Sequence, residues 1–143
     1  MKLLNHLYSI DTIAQSDEGI ICTIRLIAGS PIYKAHFPMQ PITPGACIVQ
    51  MAVEMYEEFR VSSTSEAAEP ITGFKFQVSP LKNIDIVKVK SAKFLHAMIP
   101  GGDREFRYLI TPKATDQGGI QLQVVVTSDD VTYAKLSLVC KEI

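Results

Sequence analysis

Residues 35–54, AHFPMQPITPGACIVQMAVE, decide how the rest of the chain is read. Pro38, Pro41 and Pro44 each fix φ and remove a backbone donor, so the first half is neither a regular helix nor a central strand. It is a stiff loop, and a stiff loop loses little entropy when it holds a side chain in one place. His36 stands at its entrance. Pro44-Gly45 followed by Ala46, Cys47, Ile48 and Val49 marks a helix start, with Thr43 as candidate N-cap and Pro44 at the first helical position. Such a start presents backbone N–H groups without intrahelical acceptors and the positive end of the helix dipole. It can hold a carbonyl oxygen that gains negative charge.

The helix is expected over residues 44–59. Residues 46–53 are apolar all round except for Gln50, which predicts a buried first half. Glu54, Glu57, Glu58 and Arg60 predict a second half that emerges into solvent. Residues 61–70, VSSTSEAAEP, read as a mobile linker but not as a domain boundary, because no separate helical unit follows.

Upstream, residues 2–7 are expected to form a short helical lead-in. Residues 8–15 and 19–27 read as two strands around the turn at Ser16-Asp17-Glu18-Gly19, with Ile20, Cys22, Ile24 and Leu26 on one face. Gly29-Ser30-Pro31 ends the second strand. Downstream, strands are expected over residues 71–79, 83–96, 105–111, 120–127 and 131–141, separated by Gly- and Asp-rich turns. One face carries Ile120, Leu122, Val124 and Val126, and in the last strand Ala134, Leu136, Leu138 and Cys140. Lys88 and Lys90 form the solvated face of theirs. The fold class is α+β: one domain, residues 1–143, with six or seven antiparallel strands wrapped over one mostly buried helix.

Composition narrows the function. The chain has 143 residues, 47% of them hydrophobic, enough for one proper core. A net charge of −1 makes no electrostatic case for nucleic acid. The N-terminal residues are too few and too polar for a signal peptide or membrane span, so a cytoplasmic protein is expected. Cys22, Cys47 and Cys140 show no metal spacing and read as buried free thiols of a reducing compartment.

The stretch also resembles the active-site segment of the 3-hydroxyacyl-acyl-carrier-protein dehydratases, hotdog-fold enzymes of fatty-acid synthesis. His36, Phe37, Pro38, Pro41, Pro44 and Gly45 match their pattern in register. The SDDVTYAKLSLVC end resembles their final hairpin, and residues 76–85 their strand-turn-strand segment, although the usual Pro-Gly-Asp is replaced around Lys82-Asn83-Ile84. The family's acidic residue falls on Gln50, and the Gln it often carries four residues later falls on Glu54, as if the two had exchanged places.

The resemblance implies the hotdog architecture, dehydration of a 3-hydroxyacyl thioester to a trans-2-enoyl thioester, and at least a homodimer that builds each site from two subunits. It implies a thioester of acyl carrier protein or coenzyme A as substrate, with no cofactor and no metal. His36 becomes the base, since an imidazole titrates near neutral pH. The Gly45 N–H becomes the oxyanion donor. Gln50 cannot supply a proton, but its amide can hold the substrate hydroxyl. Glu54 lies one turn on, about 5–6 Å away on the same face. Burial raises the pKa of a carboxyl and suits it to donate a proton, so Glu54 is the expected replacement acid. The alternatives are that His36 makes both proton transfers or that the chemistry is lost.

Blander readings stand beside these. Gln50 can simply bond a backbone carbonyl, and Glu54 can begin a solvated stripe with Glu57 and Glu58. His6 and His96 have no motif around them and read as structural. Lys88, Lys90, Arg104 and Arg107 are possible docking cations for an acidic carrier, but no pattern selects them. An acyl thioesterase on the same fold, or a non-catalytic acyl-binding subunit, are the competing functions.

Overall fold

The computed structural model describes residues 2–63 and 83–143. Its elements are β1 (Tyr8–Ser16), β2 (Gly19–Leu26), the short helix α1 (Pro31–Ala35), the long helix α2 (Gly45–Ser63), β3 (Ile84–Phe94), β4 (Phe106–Ala114), β5 (Ile120–Ser128) and β6 (Val131–Glu142). The strands form one antiparallel sheet in the order β1-β2-β4-β5-β6-β3. The α+β expectation therefore holds. The strand expected over residues 71–79 lies outside the described residues, as does most of the 61–70 linker.

Period-two patterning decides which face of the sheet meets the helix. Ile20, Cys22 and Ile24 of β2, Phe106, Tyr108 and Ile110 of β4, the even-numbered residues 120–126 of β5, and Ala134, Leu136, Leu138 and Cys140 of β6 are all buried. They join Ile48, Met51, Val53, Met55, Tyr56 and Phe59 of α2 in a single core. Tyr108 ties the two layers directly, donating to the Ile48 carbonyl at 3.3 Å.

Several details differ from the sequence expectation, each for a local reason. Residues 2–7 form a turn rather than a helix: Asn5 has φ +66°, and its N–H bonds the Tyr8 carbonyl at 2.7 Å. The chain between β2 and the proline loop makes the unexpected one-turn helix α1, because the Ser30 side chain caps Ile32 and Pro31 sits in its first turn. β4 runs on through Pro112, which pairs with Leu122 of β5 where the β2 pairing has already ended at Ile110, so the missing donor is tolerated. β3 carries irregularities at Ile86/Lys88 and Val89/Ser91, which break the alternation and leave Val87 and Val89 exposed alongside the lysines.

Helix α2 departs most. Its first turn is the less buried part, and Met51 through Tyr56 are buried without a break. The second half does not emerge at Glu54. Glu54 and Arg60 are 1% and 3% exposed, Glu57 and Glu58 are half-buried, and the first exposed position of the second half is Val61. Each charge there is absorbed by a partner. Glu57 accepts from the Ile84 N–H at 3.0 Å, Glu58 pairs with Lys2 at 2.8 Å, and Arg60 pairs with Glu142 at 2.8 Å.

The β1–β2 turn is tight. Gly19 has φ +148°, and a Cβ there would fall 2.5 Å from the Ile110 carbonyl oxygen of β4. Gly19→Ala is therefore expected to destabilise the protein by about 1–3 kcal/mol, read as a lower denaturant midpoint with an unchanged slope.

Candidate active site

The proline loop is held by its backbone. The His36 N–H closes α1 by donating to the Ile32 carbonyl at 3.1 Å, and the His36 carbonyl accepts from the Ile42 N–H at 2.8 Å. Between them Phe37 and Gln40 exchange hydrogen bonds of 3.2 and 3.1 Å, a tight turn with Pro38 at its second position. The His36–Phe37 peptide is cis. The imidazole leaves this frame exposed, edge-on to the Phe37 ring at 5.6 Å. Phe37 and Met39 beside it are 55% and 97% exposed.

Thr43 is buried, but its hydroxyl serves the loop rather than the helix end. It donates to the Met98 carbonyl at 2.8 Å, so the 2.9 Å contact with Tyr33 has the tyrosine hydroxyl as donor. The Thr43 N–H bonds the same Met98 carbonyl at 2.9 Å. The loop is thus fastened both to α1 and to the β3–β4 connection. The Pro44 carbonyl accepts the first helical bonds, from Cys47 and Ile48 at 3.0 and 3.1 Å.

Helix α2 begins at Gly45, and glycine is needed there for space. A Cβ would lie 2.9 Å from the ring of Phe94. Gly45, Ile48, Phe94, His96 and Met98 are among the walls of a pocket of about 310 Å³ at the helix start, with polar and apolar surface in nearly equal parts. His96 was read as structural. It stacks edge-on to Tyr133 at 5.7 Å and, with Phe94, brings the end of β3 over Gly45. No local pattern could have found it, because that approach joins residues about fifty positions apart.

Gln50 and Glu54 occupy the next turns of the same helix. Gln50 is half-buried, and its Nε2 donates to Glu54 Oε2 at 3.2 Å. The Glu54 carboxylate also accepts from the Leu3 N–H at 3.0 and 2.8 Å, from the Leu4 N–H at 2.8 Å and from the Tyr8 hydroxyl at 3.1 Å. Burial, with the Glu54 charge and hydrogen bond, holds the Tyr8 phenol well above its usual range, so it remains a donor. A carboxylate can accept from all of these groups at once. Glu54 is thus buried, as the replacement-acid reading supposes, and its carboxylate is shared between the N-terminal turn and Gln50. Gln50 and Glu54 line a polar pocket of about 390 Å³, separate from the one at Gly45. His36 lines neither. Among the described residues, these two pockets do not bring the four residues together.

Residues 12–87 match a protein-family model described as ApeI-like, ApeI dehydratase. The chain belongs to the ApeI-like dehydratase family. It is also similar to the 3-hydroxyacyl-(acyl-carrier-protein) dehydratase FabZ of Campylobacter concisus, 29% identical over 74% of this chain and 70% of that protein. An uncharacterized thioester dehydrase of Halalkalibacterium halodurans is 27% identical over 91% of this chain and 76% of that protein. Among solved structures, the dehydratase heterocomplex ApeI:P from Xenorhabdus doucetiae matches with a TM-score of 0.57 at 14% identity, covering 92% of this chain and 96% of that one. A hypothetical protein from Staphylococcus aureus matches with a TM-score of 0.55 at 11% identity, covering 99% and 98%. The fold of this dehydratase-family member is the hotdog fold. Among the described residues no helix is long and apolar enough to cross a membrane.

The thiols differ in their surroundings, correcting the expectation that all three are buried. Burial pushes the Cys22 thiol up to about 12 and the Cys140 thiol up to about 11, whereas Cys47, two residues into α2, is only half-buried. Burial raises the Cys47 thiol too, so little thiolate exists at pH 8. A maleimide at that pH is expected to label Cys47 slowly and to reach Cys22 and Cys140 only after unfolding, with peptide mapping as the readout.

Proposed function

We propose that the chain removes water from 3-hydroxyacyl thioesters, carried by acyl carrier protein or coenzyme A, to give trans-2-enoyl thioesters in cytoplasmic fatty-acid or related lipid synthesis. The observation that carries this reading is the pairing of a backbone-pinned His36 loop with a helix start at Gly45 that opens on a pocket of about 310 Å³. Membership of a dehydratase family supports it.

In this reading the thioester carbonyl accepts a hydrogen bond from the Gly45 N–H, which has no intrahelical acceptor. The neutral imidazole of His36 takes the C2 proton, and charge collects on the carbonyl oxygen. The C3–O bond then breaks. The imidazolium returns its proton to the departing hydroxyl, which leaves as water, so His36 ends neutral and nothing is oxidised or reduced. Gln50 holds the hydroxyl through its amide oxygen, because its Nε2 is engaged by Glu54. Using His36 for both transfers leaves the Glu54 carboxylate with the partners it already holds.

An exposed His36 beside bare Phe37 and Met39 calls for a cover. We propose that a second copy supplies it, so that His36 of one copy faces Gln50 of the other in at least a homodimer. A second reading follows from the amide at position 50: a different dehydratase-like chain brings the missing carboxyl, as a heterocomplex would allow.

Incubation of the purified protein with a short 3-hydroxyacyl-coenzyme A separates these possibilities. Enoyl thioester is the expected product. Release of free thiol would indicate a thioesterase, and no reaction would leave a binding subunit or the heteromeric reading. His36→Ala is expected to lower kcat by about 10²–10⁴. Gly45→Ala is expected to push the Phe94 ring into the pocket and raise KM more than it lowers kcat.

A further inference from the structure

We propose that Glu54 is a positioning residue: it dictates which end of the Gln50 amide faces the substrate, and the N-terminal turn holds it in place for that purpose. This rests on the dehydratase reading of Gln50.

An amide has a donor end and an acceptor end of nearly equal size, so packing alone does not choose between them. The carboxylate 3.2 Å away does. Only the NH₂ end can face Glu54 Oε2, since the flipped amide would set one acceptor against another. The Gln50 oxygen must then point away from Glu54, where it can accept from a substrate hydroxyl.

Glu54 can impose this choice because it cannot turn itself. Leu3 N–H reaches both of its oxygens, while Leu4 N–H and the Tyr8 hydroxyl hold Oε1. Leu3 and Leu7 are buried on either side of the turn that presents these donors, so the N-terminal segment is part of the core. Rotation of the carboxylate would strip two backbone N–H groups of their partner in a nearly water-free site. The chain is thus linked from its N-terminal turn, through a buried charge, to the amide used on the substrate.

The test is a double-mutant cycle on the full chain with 3-hydroxybutyryl-coenzyme A, measuring kcat, KM and the thermal midpoint for wild type, Gln50→Ala, Glu54→Gln and the double variant. Glu54→Gln places an amide opposite Leu3 and Leu4 and frees Gln50 to flip. It is expected to lower kcat about tenfold, or about 1.4 kcal/mol, with KM within about twofold. The double variant should be no slower than Gln50→Ala alone, although Glu54→Gln lowers the thermal midpoint in both backgrounds, because the Leu3 and Leu4 N–H groups lose their carboxylate in each. A merely structural Glu54 would slow both backgrounds by the same factor, which overturns the proposal and leaves the dehydratase reading standing. Wild-type kcat in Gln50→Ala overturns the proposal and the role given to Gln50, while the turnover itself keeps the dehydratase reading standing. If Glu54→Gln does not fold, Tyr8→Phe, which keeps both backbone donors, carries the same cycle with an expected loss of about two- to fivefold that vanishes without Gln50.

Discussion

Burial of helix α2 on all sides between Met51 and Tyr56 is the constraint from which the rest of the molecule follows. A helix so enclosed leaves no water for its polar side chains, and each must find a partner from elsewhere in the chain. The N-terminal turn, the start of β3 and the end of β6 all supply one. These contacts locate the helix along its axis, and the apolar packing of the sheet locates it laterally. The helix start, with Gly45 at its tip, is therefore delivered to a defined place under Phe94.

The proline loop depends on the same placement. It reaches Gly45 from α1, and its buried member Thr43 is fastened to Met98 and Tyr33. With the loop anchored at both ends, His36 has a fixed backbone and an exposed side chain. A side chain held this way loses little freedom when a ligand arrives, which is where much of the advantage of a preorganised site lies. The apolar residues around the imidazole suit contact with another polypeptide better than contact with water.

How legible the molecule was in its sequence can be followed residue by residue. The alternation is clearest in β5 and still legible in β2 and β6, although Tyr133 and Ser137 of β6 are buried too, and the three prolines with Pro44-Gly45 announced the loop and the helix start. Glu54 had two readings in sequence, a buried acid or the first member of a solvated stripe with Glu57 and Glu58, and it is buried. Its real partners, Leu3, Leu4 and Tyr8, lie about fifty residues away. The turn at residues 2–7 was misjudged for the mirror-image reason: its backbone donors answer to that distant carboxylate. His96 gave no local sign, because only the packing of β3 across the helix start brings it to the pocket.

Local chemistry by itself settled the α+β class, the rigid loop and the helix that follows it, since periodicity, fixed φ angles and missing donors act within a few residues. Tertiary structure alone decided which charges are buried, what the Glu54 carboxylate holds, and which pocket each candidate residue faces. Those outcomes depend on long-range partners. A polar side chain on a helix is exposed or enclosed according to what the remainder of the chain folds against it, and no spacing along the sequence records that.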